Sequence, residues 1–181
     1  MSQLENADGT IKLSLNLPDL LKDSCFDSKN SLRLRLVHDS LLERRELRFV
    51  HSDQTRLRVS CCDQRCSFKL CARRNAESSW TITDLIGHSC AKLQRLNNKM
   101  ANTDFIAEHP YFVNKILSGD SYNTKDLYAD FKSVYGVKIE SYVIKRNAIN
   151  KVKRQSIVSV VESFEQLPSY AEEMCMKLTR N

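Results

Sequence analysis

Four residues in this chain of 181 have the types and spacing of a metal-ligand set. Cys61 and Cys66 form a C-x4-C pair, and His88 and Cys90 form H-x-C further on. Zinc takes four soft or borderline donors in a tetrahedron, and thiolates with an imidazole supply them. Cys62 is an alternative first ligand, because Cys62 and Cys66 also make C-x3-C. Alternation along RLRVSCC puts Leu57, Val59 and Cys61 on one face and Arg56, Arg58, Ser60 and Cys62 on the other. A site with four protein ligands has no position left for water, so its expected role is structural rather than catalytic. No nucleophile–base pair and no carboxylate constellation accompanies it, and no enzyme activity is expected of this chain alone. The plainer alternative is a set of ordinary buried thiols and a surface histidine, since cysteine is often buried without a metal. Cys25, Cys71 and Cys175 have no partner at ligand spacing and read as structural.

The elements that must position these donors are strands. RELRFVH and TRLRVSC read as two strands around a polar turn at Ser52 to Gln54. SFKLCAR continues as a third, with Phe68, Leu70 and Ala72 on one face and Lys69, Cys71 and Arg73 on the other. WTITDLIG makes a fourth, with Trp80, Ile82 and Leu85 inward. Cys61 and Cys66 then flank one hairpin turn while His88 and Cys90 end the fourth strand, so both pairs converge at one edge of an antiparallel sheet. A thin sheet of this size often needs such a staple, and metal binding on the order of 10 kcal/mol becomes folding free energy.

Residues 1–24 form a polar lead with a short apolar piece, Ile11 to Leu21, broken by Pro18. SLRLRLVHDSLLERR is ambiguous: Leu32, Leu34 and Leu36 alternate as in a strand, whereas Leu34, Val37, His38 and Leu41 follow helical spacing. Beyond Lys92 the pattern becomes helical, after a linker QRLNNKMANT. TDFIAEHPYFVNKILSG is expected to break at Pro110. NTKDLYADFKSVYG predicts a helix over 124–135, capped by Asn123 or Thr124 and closed by Gly136. A second helix over 140–154 follows through a short turn, and a last helix is interrupted at Pro168. The helical pair has the outline of a helix-turn-helix. On its second helix Ile144, Ala148 and Val152 share a face, Lys145 must snorkel beside them, and Arg146, Asn147, Asn150, Lys151 and Arg154 lie roughly opposite. Tyr142 and the other aromatics read as core. The expected class is α+β: a zinc-binding sheet domain over 25–95 and a helical domain over 96–181.

Charge points to a polyanionic partner. Lys and Arg number 28 against 22 Asp and Glu, a formal charge of +6. The excess is local. Arg44, Arg45, Arg48, Arg56, Arg58, Arg65, Lys69, Arg73 and Arg74 crowd one stretch against Glu46, Asp53 and Asp63, and the rest of the chain is close to balanced. Arg45, Arg48, Arg56 and Arg58 fall on two neighbouring strands, with Lys69 and Arg73 on a third. Such a surface suits the phosphates of duplex DNA, and an arginine fork can read guanine. Arg and Asn on the helical pair offer a second candidate surface. No run of about 18 apolar residues predicts a membrane span. The opening MSQLENADGT lacks a secretory pattern, so the seven cysteines are expected to be reduced.

RLRVSCCDQRCSFKLCARR and SSWTITDLIGHSC together resemble the zinc-finger domain of Mutator-like element transposases, relatives of the WRKY fold. There a basic–apolar strand meets Cys-x4-Cys-x-apolar, and a Trp or similar residue opens the strand ending in His-x-Cys. The resemblance selects Cys61 over Cys62 and implies a helix for the segment before Arg45. DLYADFKSVYGVKIESYVIKRNAINKV is similar to the helices after that finger, and VVESFEQLPSYAEEM to the stretch before the catalytic domain. The likeness covers roughly 25–178, with the finger as its most specific part. It implies a nuclear, zinc-dependent DNA-binding module, with the sheet-edge strand Arg45 to His51 in the major groove. The WRKYGQK residues are absent, so base preference does not carry over. The family's acidic nuclease domain would begin near Asn181, which makes this chain either the recognition end of a transposase or a shortened derivative. The competing expectation is a zinc-stabilised scaffold whose helical half binds a protein.

Overall fold

The structure, a computed structural model, describes residues 4–5, 11–12, 15–92, 98–119 and 121–165. Two short strands, β1 (Leu4–Glu5) and β2 (Ile11–Lys12), pair with each other. A two-residue strand β3 (Cys25–Phe26) leads into helix α1 (Lys29–Leu42). Ser28 starts that helix, accepting from the Ser31 amide while the Ser31 side chain reciprocates, a capping box worth about 1 kcal/mol. Leu32, Leu36, Val37 and Leu41 are buried along it, so the helical spacing prevails over the strand alternation. Both patterns contain the same leucines, and burial of one side of α1 decides between them.

Strands β4 (Leu47–Ser52), β5 (Arg56–Cys61), β6 (Lys69–Arg74) and β7 (Trp80–Ile86) follow the expected order. With β3 they form an antiparallel sheet in the order β3-β7-β6-β5-β4. The fifth strand is too short to announce itself by alternation; it exists because Phe26 pairs with Trp80 and both are buried. Leu57, Val59 and Cys61 point inward beside Phe68, Leu70 and Ala72, as the alternation requires. Register shifts at Phe49/His51 and at Cys71/Ala72 add local twist.

The helical half comprises α2 (Thr103–Glu108), α3 (Pro110–Ser118), α4 (Thr124–Tyr135) and α5 (Tyr142–Glu165). Pro110 occupies the first turn of α3, where its missing N–H costs nothing, and so separates two helices. Asn123 caps α4 and Gly136 ends it in the left-handed region, φ 63°. A side chain at Gly136 would be strained there and would also meet Arg44, whose Nη2 would lie 2.7 Å from its Cβ. The second helix starts at Tyr142 and extends to Glu165, beyond the expected 154. Ala148 and Val152 are buried, and Lys145 snorkels, its Nζ 5.1 Å from the centre of the Tyr128 ring. Tyr142 corrects the expectation of an aromatic core: it is 58% exposed, at the first residue of α5 and ahead of its buried stripe. The linker around Leu93 to Asn97, the break at Pro168 and Cys175 lie outside the described residues.

The two halves share one core. Buried residues of the sheet, α1 and the four later helices form a single cluster. At its centre His38 of α1 sits 2.8 Å through Nδ1 from the Tyr135 hydroxyl of α4, and His109 Nε2 lies 3.3 Å from His38 Nδ1. Burial, reinforced by His38, pushes the His109 imidazole down from 6.5 to about 3. The native state therefore holds His109 neutral while the unfolded chain protonates it. Because the folded value is depressed, the associated stability is present above about pH 6.5 and is lost as pH falls toward 3. The expected slope from this residue is about 1.4 kcal/mol per pH unit at most. Urea unfolding across this range should show it in the native chain, and His109→Gln should remove that part of the slope.

Candidate metal centre

The sheet's inner-face alternation carries Cys61 to the end of β5 with 5% exposure, while Cys62, one residue on, is exposed. The chain then turns: the Cys66 amide donates to Asp63 O and the Arg65 amide to the Asp63 carboxylate, which brings Cys66 back. Past β7, His88 and Cys90 arrive from the other side. The two loops are tied directly, since the Ser67 amide donates to Ser89 Oγ and the Ser67 hydroxyl to Gly87 O. Phe68 stacks flat on His88, ring centres 3.9 Å apart and planes 8° apart, and this fixes the imidazole with Nδ1 toward the thiols.

The result is a group in which one donor atom from each of Cys61, Cys66, His88 and Cys90 lies within 4.8 Å of every other. Cys61 Sγ and Cys90 Sγ are 3.7 Å apart. His88 Nδ1 is 3.3 Å from Cys66 Sγ and 3.7 Å from Cys90 Sγ. A tetrahedral zinc with ordinary bond lengths separates two sulfurs by about 3.8 Å and a sulfur from a nitrogen by about 3.6 Å. The donor set and the separations fit a four-coordinate metal ion. Alternation and position both select Cys61, because Cys62 points away from the group.

Protonation follows from packing. Burial pushes the Cys61 thiol up to about 12, with the neighbouring Cys90 and Cys66 side chains adding to the backbone-moderated rise. Burial also acts to raise Cys66, but hydrogen bonds from the Phe68 backbone, the Cys90 side chain and the Cys90 and Ser89 backbone outweigh it and bring it down to about 5. A divalent cation at this position would favour the thiolate form of Cys61 that burial opposes.

The basic residues divide into groups. Arg48, Arg56, Arg58, Lys69 and Arg73 are exposed on the outer face of the sheet. Arg56 pairs with Arg73 across β5–β6, Arg58 sits between His51 and Cys71, and Ser60 between Arg48 and Lys69. Lys69 Nζ is 3.4 Å from Asp84; among the described residues no acid pairs with Arg48, Arg56, Arg58 or Arg73. Arg45 is the correction. It precedes β4 rather than lying on it, and its side chain is 14% exposed, turned inward. Its Nη1 donates to Cys90 O at 2.9 Å and reaches Cys90 Sγ at 3.3 Å, while Nε lies 3.1 Å from Glu43, near enough for an ion pair but not aimed as a hydrogen bond. On α5, Arg146, Asn147, Asn150 and Arg154 are exposed, whereas Lys151 is half-buried and paired with Asp104 at 2.8 Å. The helix packs on α2, α3 and α4, so its polar row is a surface apart from the sheet.

Sequence reasoning missed Phe68 as the partner of His88, Ser67 and Ser89 as the tie between loops, and Arg45 beside Cys90. Only Phe68 had a signal, as the apolar residue two past Cys66. No protein-family model and no curated protein matches the chain. Among solved structures, the crystal structure of AFT2 in complex with DNA is similar, at 13% identity over 86% of this chain and 94% of that one, with a TM-score of 0.35. At that value the likeness is too loose to carry an inference.

Removal of the ion should remove on the order of 10 kcal/mol, comparable with the whole stability of a small domain. Metal content by mass spectrometry should fall sharply in Cys61→Ser and Cys66→Ser and stay at the native level in Cys62→Ser. Chelation should lower the melting temperature of the native chain and of Cys62→Ser alike. A Cys62→Ser chain that loses the ion would reverse the ligand assignment.

Proposed function

We propose that this chain is a zinc-dependent module that binds duplex DNA through the outer face of its sheet. The observation that supports this reading most strongly is the pairing of Arg56 with Arg73, directly opposite across β5–β6. Like charges in that relation destabilise a sheet by roughly 0.2–1 kcal/mol, and here they stand beside Arg58 and Arg48 with no acidic partner among the described residues. An arrangement that repels itself becomes favourable when a row of phosphates lies across it, with release of counterions from the DNA. Zinc at Cys61, Cys66, His88 and Cys90 has all four positions filled by protein and does no chemistry on a substrate. It holds the ends of β5 and β7 so that the arginines on the outer face keep a fixed spacing.

The motif likeness to Mutator-like transposases over roughly 25–178 supports a kinship with the recognition part of those proteins, acting in the nucleus, with catalysis supplied elsewhere. Arg146, Asn147, Asn150 and Arg154 on α5 form a second surface of base-reading residue types. A different reading draws on α5 as well. Val143, Ile157 and Val158 are 62%, 64% and 54% exposed, which suits a protein partner on that helix.

Fluorescence anisotropy on a duplex over a salt series separates these readings. Affinity should fall steeply with salt, and Arg56→Glu with Arg58→Glu should weaken binding by at least about tenfold and flatten the salt slope. Cys61→Ser and His88→Ala should abolish binding. Unchanged affinity in the charge-reversed chain would remove the sheet as the DNA surface and leave α5.

A further inference from the structure

Three thiolates around one divalent cation leave a net negative charge that the four ligands do not cancel. Among the described residues, Arg45 is the one cation hydrogen-bonded to a ligand sulfur, at 3.3 Å from Cys90 Sγ, and the same nitrogen holds the Cys90 carbonyl at 2.9 Å. Its side chain is largely removed from water, which strengthens a charge-assisted contact. One guanidinium nitrogen thus grips both the ligand atom and the backbone of Cys90.

The backbone of Arg45 and its neighbour Glu46 continue the connection in both directions. The Cys62 amide donates to Glu46 O at 2.9 Å, beside the first cysteine ligand. On the far side, Asn98 Nδ2 donates to Arg45 O at 3.0 Å and the Lys99 amide to Glu46 Oε1 at 3.2 Å. Glu46 and Asn98 are 6% and 8% exposed, so these bonds are shielded from competing water. Asn98 Oδ1 then accepts from the Met100 amide, and the Asn102 side chain caps α2 through the Phe105 amide. An unbroken series of contacts runs from a metal ligand to the first helix of the other half.

We propose that Arg45 is a positioning residue that balances the charge of the metal centre and couples its occupancy to the order of residues 98–102 and α2. The inference rests on the reading that the centre holds zinc. An ion bound at Cys90 holds in place the two acceptors of Arg45 Nη1, Cys90 Sγ and the Cys90 carbonyl, and so fixes the guanidinium. Without it these acceptors are less firmly held, and so is the Arg45 carbonyl that Asn98 grips. Metal supply thereby bears on the order of residues 98–102 and α2 as well as on the rigidity of the sheet.

The experiment uses the full chain, with Zn2+ and Co2+ as probes, in native, Arg45→Met, Arg45→Lys and Asn98→Ala forms. Zinc affinity is read by chelator competition, the sulfur-to-cobalt charge-transfer band by absorption, and backbone order by amide hydrogen exchange with and without metal. Arg45→Met should hold zinc about 10- to 100-fold more weakly and move the cobalt band to lower energy, since a thiolate stripped of its hydrogen bond is the better electron donor. Arg45→Lys should recover part of the affinity. Asn98→Ala, remote from the ligands, should keep native affinity yet exchange over 98–102 equally fast with and without metal. Native affinity and an unshifted band in Arg45→Met overturn the role of Arg45. Metal-independent exchange over 98–102 in the native chain overturns the coupling. A native chain that takes up neither ion overturns the zinc reading itself, and this inference with it.

Discussion

A hydrogen-bonded ladder holds strands together along their length but stops where the strands stop. In this sheet β5 ends at Cys61 and β7 at Ile86, on strands separated by β6, and among the described residues no backbone ladder joins the chain beyond the one to the chain beyond the other. What brings the loops together is the meeting of Cys61, Cys66, His88 and Cys90, aided by the Ser67 contacts and the Phe68 stack. Phe68 belongs to the core and to the metal centre at once: its ring is buried on the inner face and its flat side orients His88. The centre is therefore continuous with the packing of Leu57, Val59 and Leu70.

The two faces of β5 and β6 are consequences of one alternation. Every residue that takes Leu57, Val59 and Cys61 inward sends Arg56, Arg58 and Ser60 outward. A slip of one residue in register would expose the ligand cysteine and bury arginines, so the core, the metal centre and the basic face stand or fall together. Opposed arginines on the outer face weaken the ladder slightly, by an amount small beside what a metal ion bound at the four donors would contribute to folding.

The strands, the helix over 124–135 and the grouping of Cys61, Cys66, His88 and Cys90 were legible in the sequence because each depends on local periodicity or on spacing within a loop. Pro110 and Gly136 were legible for the same reason, as their backbone restrictions act where they stand. The register of β3 was not, since two residues carry no period. The placement of Arg45 was not either: alternation extends a strand back over it, but the chain turns at Arg44, which has φ 53°, and Arg45 swings inward to a partner 45 residues away. Lys151 shows the same limit, because its partner Asp104 lies on another helix. Tyr142 read as core on residue type alone, and the structure places it ahead of the buried stripe of α5.

Residues 44–46 make contacts on both sides of the change in sequence pattern near residue 95. Arg44 lies against the left-handed turn at Gly136 that ends α4. Arg45 faces Cys90, and Glu46 accepts from both Cys62 and Lys99. Three consecutive residues thus address α4, the metal centre and the entry to α2. Behind them, His38, His109 and Tyr135 form a buried polar contact, which demands that α1, the start of α3 and α4 meet in one geometry. A polar cluster at such a seam penalises any misplacement more sharply than apolar packing would, because a buried polar group that loses its partner cannot recover water. The helical half is thereby held to the sheet by directional bonds as well as by area.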